Sequence, residues 1–587
     1  MSNTPLSLPD LRDTFADTWV ATDGLGRTLP GFAECGPPRA NRFVGMFYFV
    51  WLGWHDQELY DITKLLAANP DDPQYGPVGQ FHWWGEPHLG YYRSEDRFVI
   101  RKHAELLTNA GVDVIILDVT NGFTYDPTVL AICEEYRALR ALGQPTPQIA
   151  FLTNSGSANV VRHLYENFYA KGLYPELWFD WKGKPLLLSS QEGIEDAAIL
   201  DFFSWRRSWA WTKDQEWFGD GHGRWPWLDQ HPQNFGWHED PARPEQMSVC
   251  VAQHPISDIG RSFHAGAEPP PEAERPLDGL CFQEQWDRAL EVDPEFVLVT
   301  GWNEWVAQRF LKQPNNDPPQ AMVRKALAPG DSFFVDQYNL EFSRDIEPMR
   351  GGYGDAYYYQ LVANIRRFKG VRPPHPASLP QTIPVDSDDF RDWARVQPEF
   401  RDNVGDIAHR DHAGWGGLRY RNTSGRNDFE TLKVARDNAS VFFYVRTREP
   451  IRLPENETGM CLLIDSDGNP ATGWEGFNLA VKIGARGGLV FRYRQITARQ
   501  SAWEYVAGCA VMRRDNELHF GIPRPLISSA ESSQAIRFDF QWIDNIEPFG
   551  DCDIADFLDQ GDTAPSGRFR YRYHGDANRA AWRGDAS

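Results

Sequence analysis

Along its first 370 residues the chain repeats one pattern: a short apolar run, a polar or aromatic loop, then a stretch with helical periodicity. The first run, Val44-Gly45-Met46-Phe47-Tyr48-Phe49-Val50-Trp51, leads into Leu52-Gly53-Trp54-His55-Asp56. Runs that are apolar at every position, rather than at alternate ones, mark strands covered on both faces. Ser94 to Ala110 reads as a helix, with Ser94 as N-cap and Val99, His103, Leu106 and Ala110 on one face. Gly111 ends it, and Val112 to Asp118 follows as a strand closing on a carboxylate. Ile132, Tyr136 and Leu139 mark the next helix, and Gln148 to Asn154 the next strand. Further strands are predicted at Leu177 to Trp181 with Pro185 to Ser189, Phe202 to Trp211, Gln246 to His254, Phe296 to Thr300 and Ser332 to Tyr338. About eight strands alternating with helices predict a (β/α)8 TIM barrel. An open doubly wound sheet is the alternative, but no Gly-rich phosphate loop follows the first strand.

The pattern changes near residue 370. The helix predicted at Tyr357 to Phe368 ends in Arg366, Arg367 and Lys369 with Gly370 beyond, a composition suited to a C-terminus. Residues 371–384 carry five prolines and read as a linker. From 385 onward short alternating segments (Glu430 to Ala435, Val441 to Thr447, Met460 to Ile464, Leu489 to Tyr493, Ile536 to Trp542) are separated by Gly, Asn and Asp turns. That texture predicts an all-β sandwich over 385–587, following an α/β barrel domain over 1–370.

Charge narrows the partners. A formal net charge of −23 repels phosphate backbones, and no basic stripe with interleaved aromatics offsets it, so nucleic acid is not expected as a partner. No apolar segment approaches the ~18 residues of a membrane span. Met1 to Arg27 lacks the basic start and apolar centre of a secretory signal, which fits either a cytoplasmic protein or one whose signal has been removed. The seven cysteines show no zinc-type spacing and are expected to be reduced thiols. Oligomeric state is not legible.

The candidate chemistry gathers where the strands end, the face on which barrels of this kind build their sites. Phe296 to Thr300 is followed by Gly301-Trp302-Asn303-Glu304-Trp305, a carboxylate between two indoles. Apolar surroundings raise a carboxyl pKa towards the range useful for proton transfer. Glu304 is therefore the first catalytic candidate, followed by Asp118 and then Asp336. Each has a structural alternative: Asp118 could hold Thr120 or a loop amide, and Asp336 could pair with Arg344 or Arg309. The 23 tryptophans cluster with Gly, Pro, Asn and His, which favours platforms for the C–H faces of sugars. Trp302, Asn303, Trp305, Trp54, His82, Trp83, Glu86, Trp209, Gln253 and His254 are the expected substrate-binding residues. Paired carboxylates in an aromatic-walled cleft are what glycosidic bond cleavage requires. No organic cofactor is implied. The scattered histidines His55, His82, His88 and His254 leave open a metal-dependent hydrolase, although their spacing matches no recognisable ligand set.

Trp302-Asn303-Glu304-Trp305 resembles the Asn-Glu-Trp motif of glycoside hydrolase family 99 and of related family-71-like and polysaccharide-biosynthesis proteins. The resemblance implies a (β/α)8 barrel, a carbohydrate substrate and a catalytic role for Glu304. The family places a second glutamate three positions on, where this chain has Ala307, so the family's mechanism and mannan substrate do not carry over. That departure motivates the rival reading, a non-catalytic glycan-binding or polysaccharide-assembly protein on the same barrel.

The C-terminal region resembles a carbohydrate-binding domain of the family-9-like β-sandwich type, most clearly at Leu462 to Gly476. There Asp465, Asp467 and Asn469 alternate in a turn. Their oxygens could converge on a calcium ion, or the three could cap a tight turn through backbone amides.

Overall fold

The computed structural model describes residues 11–55, 57–210, 216–314, 319–454, 459–497, 500–528 and 536–575, so Asp56 and Trp211 lie outside the described residues. Seven parallel strands form one curved sheet: β1 (Phe43–Tyr48), β2 (Val114–Val119), β3 (Gln148–Thr153), β4 (Lys184–Leu188), β5 (Ser204–Arg206), β6 (Gln246–Cys250) and β7 (Phe296–Thr300). Their order is β5-β4-β3-β2-β1-β7-β6, so the chain steps outward from β1 to β5 and then returns from the opposite edge, β6, to β7 beside β1. Strands β2 and β7 are buried at every position, as expected of strands covered on both faces. Gly45 lets β1 and β7 approach, because a Cβ there would meet the Phe296 ring at 2.5 Å.

The sheet is a half-barrel consistent with a partial TIM barrel. No ladder joins β5 to β6 among the described residues. Residues 224–228 lie between them instead, through isolated parallel bridges Arg207–Arg224 and Ala210–Leu228. Side chains fasten this segment: Gln246 Nε2 donates to the Pro226 carbonyl at 2.8 Å, and Thr300 Oγ1 to that of Trp227. Buried Glu245 accepts from Trp225 and Trp181 and pairs with Arg206 at 2.6 Å, tying β5 to the start of β6.

Three sequence expectations need correction. Ser332 to Tyr338 is not a barrel strand: only Ser332–Phe333 is extended, and it pairs antiparallel with Phe310–Leu311. The run is short because Phe334 turns into a small apolar cluster with Ile62 and Ala307 rather than into the sheet. The predicted strand at Phe202 to Trp211 shrinks to β5, since Phe202 ends a helix, Ala197–Phe202. The helix at Arg97–Ala110 is capped by Asp96, whose side chain accepts from Phe98 N, while Ser94 Oγ accepts from Leu52 N.

The last helix of this half, Ala356–Lys369, ends before Gly370. Beyond it lie two antiparallel sheets. One joins Phe400–Arg401, Phe429–Arg436, Ser440–Thr447, Glu517–Pro523 and Val511–Arg514. The other runs from Gln500–Cys509 through Gly487–Thr497, Leu479–Gly484 and Met460–Asp465 to Arg537–Asp544, which pairs with Asp562–Ala564 and Tyr571–His574. Rings of the two sheets meet: Phe443 lies 5.9 Å from Phe538, and Phe520 6.0 Å from Trp542.

The two halves share apolar and ionic contacts. Trp415 packs edge-on against Trp83 at 5.6 Å, and Arg410 pairs with Asp96 at 2.8 Å. The lead segment, assigned from sequence to the barrel, also touches the second half. Trp19 contacts Phe569 and Tyr571, and Val20 bridges to Arg570.

Candidate active site

Strand β7 delivers Glu304 to the carboxyl-terminal mouth of the sheet, and β2 delivers Asp118. Their approach differs from that of Asp336, which arrives on the long connection between Phe333 and the helix at Ala356. The same connection brings Arg344 and Asp345. Arg344 Nη2 lies 2.8 Å from Glu304 Oε2 and 3.6 Å from Asp336 Oδ1. The sum of those distances, 6.4 Å, caps the separation of the two carboxylate oxygens. The Arg344 guanidinium also lies over the Trp227 ring at 5.3 Å, which holds it in place.

Asp345 sits behind Glu304, accepting from the Glu304 backbone N–H and from Trp84 Nε1. Asp118 accepts from Trp51 Nε1 at 3.3 Å and from Thr120 N at 3.0 Å, so the structural role weighed for it is fulfilled. His254 Nε2 stands 3.6 Å from Asp336 Oδ1.

One guanidinium thus faces three carboxylates, with Asp118 close enough to repel them. Burial pushes Glu304 up to about 8, against the pull of Arg344 and with repulsion from Asp336, Asp345 and Asp118. Burial likewise raises Asp345 to about 7 and Asp118 above the usual carboxylate range. Asp336 goes the other way. Burial would raise it, but the neighbouring His254 imidazole and the Arg344 charge together hold it low. Its side chain remains 48 % exposed, so water also supports its charge. Burial lowers His254 to about 4, which leaves a neutral imidazole at pH 7.

The indoles divide into two groups. Trp302, Trp305 and Trp83 have no exposed surface and present no face to a ligand in this conformation. Trp305 stacks on Trp84 at 4.7 Å and donates to Glu347 at 2.6 Å, while Trp302 packs against His103 and Tyr358. His82, Asn303 and Gln253 are equally enclosed. His82 accepts from Gly76 N, Asn303 ties down Phe49, and Gln253 donates to the Asp229 carbonyl. Glu86 is engaged by Lys64 and Arg350 away from these carboxylates. In this conformation these side chains, Glu86 apart, are enclosed, and Trp305, His82, Asn303 and Gln253 spend polar atoms on neighbouring protein groups.

Trp54 and Trp209 are open. Trp54 is 47 % exposed and meets Tyr125 edge-on at 5.0 Å, with exposed Phe123 beside that ring. Trp209 lines a cavity of about 530 Å³ with Thr153, Asn154, Glu192, Arg207 and Trp217, beyond the ends of β3, β4 and β5. Trp209 meets Trp227 at 6.4 Å, and Trp227 meets His254 and carries Arg344, so this cavity adjoins the carboxylate cluster.

Sequence reasoning missed Asp345, Trp227, Trp217, Phe123 and Tyr125, and gave Arg344 only as a pairing partner. Their one signal was composition, aromatic and charged residues in long loops, which does not say which loop folds over the sheet.

The side chains of the calcium candidate make turn contacts. Asp465 Oδ1 accepts from Asp467 and Gly468 amides, Asp467 from Asn469 N and Thr472 Oγ1, and Asn469 from Ala471 N. Arg570 Nη1 pairs with Asp465 Oδ2 at 3.0 Å. These contacts are the side chain-to-backbone caps of the alternative reading.

No protein-family model matches this chain, and none of the curated proteins does. Among solved structures it is similar to the GH99 endo-α-mannosidase from Bacteroides thetaiotaomicron, covering 55 % of this chain and 97 % of that one at 14 % identity and a TM-score of 0.33. The same enzyme with bis-tris-propane gives 14 % identity, 56 % and 97 % coverage and a TM-score of 0.32. A likeness this distant carries no inference about chemistry, which rests on the residues themselves.

Proposed function

We propose that this protein hydrolyses glycosidic bonds, with Glu304 as proton donor and Asp336 as the ionised base or nucleophile. The observation that carries this reading is a divergent carboxyl pair: Glu304 pushed up to about 8 and Asp336 held low, their oxygens at most 6.4 Å apart. Environments that push two carboxyls apart assign the acid and the base. That cap of 6.4 Å lies just below the inverting range of about 6.5–9.5 Å and leaves room for the retaining separation of about 5–5.5 Å. Trp54 and Trp209 supply open faces for sugar rings. The parallel sheet and the paired antiparallel sheets support a (β/α)8 barrel over 1–370 joined through 371–384 to a β-sandwich over 385–587.

A second reading, glycan binding without cleavage, draws on Ala307. Where the resembled family carries its second glutamate, Ala307 is 1 % exposed and packed with Ile62 and Phe334, so no carboxylate reaches the cleft from that position.

The test is hydrolysis of a panel of α- and β-linked oligosaccharides and polysaccharides by wild type and Glu304→Gln. Cleavage that the variant loses is the expected result and gives the linkage. Binding without cleavage by both proteins supports the second reading, and cleavage that survives the substitution removes Glu304 from the chemistry.

A further inference from the structure

Away from the cleft, Asp402, Asp406 and Asp562 meet beneath the seam between the two halves, with one oxygen from each within 4.8 Å of the others. Asp402 is 1 % exposed and Asp562 2 %, and the Asp406 side chain is 9 % exposed. Both oxygens of Asp402, Oδ1 of Asp406 and Oδ1 of Asp562 have no hydrogen-bond partner among the described residues. The remaining Asp562 oxygen accepts from Phe429 N at 2.6 Å. Asp428 is adjacent but occupied, since both its oxygens accept from Gly405 N. On the barrel side, Lys102 Nζ stands 3.7 Å from the other Asp406 oxygen, Oδ2, and donates to Glu105 at 3.3 Å.

Buried carboxylates are costly unless paired, and buried polar atoms in folded proteins find partners. Four orphaned carboxylate oxygens on three clustered, buried side chains are a set of ligand atoms without a partner for their charge. We propose that Asp402, Asp406 and Asp562 bind a calcium ion that ties together the segments of the carboxyl-terminal half on which they lie. The ligand atoms are all carboxylate oxygens, which suits a hard cation. One oxygen from each lies within 4.8 Å of the others, close enough for a single cation to touch all three. Magnesium, with a shell nearer 2.1 Å and a reluctance to lose water, fits this enclosed set less well. Burial and mutual repulsion raise all three aspartates well above the usual range, the condition that a bound cation would relieve.

The experiment uses the full chain, stripped with EGTA and titrated with calcium or magnesium by calorimetry, with melting followed in parallel. Wild type is expected to take one calcium at this site, to bind magnesium at least tenfold more weakly, and to melt a few degrees higher with calcium. Asp402→Asn and Asp562→Asn should each lose one equivalent and the calcium-dependent rise, whereas Asp467→Asn, in the exposed turn, should keep both. Should the cluster variants fold poorly, the response of stripped wild type to calcium still decides the matter. No calcium binding by wild type at millimolar concentration, with Asp402→Asn melting higher, overturns the proposal in favour of aspartates sharing protons. Loss of the ion in Asp467→Asn but not in Asp402→Asn overturns it as well.

Discussion

Glu304→Gln keeps the shape of the side chain and removes its titration, so its effect on stability has a definite sign. In the folded chain burial raises Glu304 to about 8 from an ordinary 4.5, and its side chain is only 10 % exposed. A carboxyl raised in the folded state holds a proton that the unfolded chain releases. Its contribution to stability is complete below about pH 4.5 and is lost as the pH rises towards about 8. The loss runs at about 1.4 kcal/mol per pH unit, so between about pH 5 and about pH 7.5 it amounts to roughly 3 kcal/mol. Glutamine has no such loss. Relative to wild type, Glu304→Gln should therefore gain roughly 3 kcal/mol over that interval, whatever fixed offset its altered contact with Arg344 introduces. Chemical unfolding of both proteins at the two pH values measures the change directly. A difference that stays flat or falls would refute the reasoning. It would mean that the Arg344 contact at 2.8 Å keeps Glu304 charged and that the acid role belongs to another group.

The same shifts shape the catalytic pH profile. With Glu304 as acid and Asp336 as base, kcat/KM on any cleaved glycan should fall above about pH 8 and persist to below the ordinary aspartate value of 3.8. Trp209→Ala should weaken glycan binding about three- to tenfold with little change in melting, as loss of one aromatic face predicts, and calorimetric titration reads it. Trp305→Phe should cost about 1–3 kcal/mol in chemical unfolding, because Glu347 loses a buried indole donor. Trp415→Ala should cost about 3–5 kcal/mol and loosen the join at Trp83, which proteolysis across 371–384 would register as faster cleavage.

Strands β1, β2, β3 and β7 were legible because each is apolar throughout and bounded by glycine or a polar turn. The segments of the second half were legible as short runs rich in β-branched and aromatic residues set off by Gly, Asn and Asp turns, although strands such as Met460–Asp465 are buried at every position. Met460–Asp465 and Arg537–Asp544 fall within a residue or two of their predicted limits. Ser332 to Tyr338 misled because a short aromatic run looks the same whether it enters a sheet or a loop cluster.

By itself the sequence determined that the first half is a wound parallel sheet, the second is antiparallel, and Glu304 and Asp118 stand at strand ends. Those are local consequences of periodicity and of where an apolar run stops. Only the tertiary structure decided which indoles face the mouth, since Trp302 and Trp305 differ from Trp54 and Trp209 in burial and not in chemistry. It also decided that Arg344, 40 residues from Glu304, lies against both Glu304 and Asp336, and that Asp402 and Asp562, 160 residues apart, share one buried cluster. Electrostatic and coordination partners are chosen by distance in space, on which distance along the chain places almost no constraint.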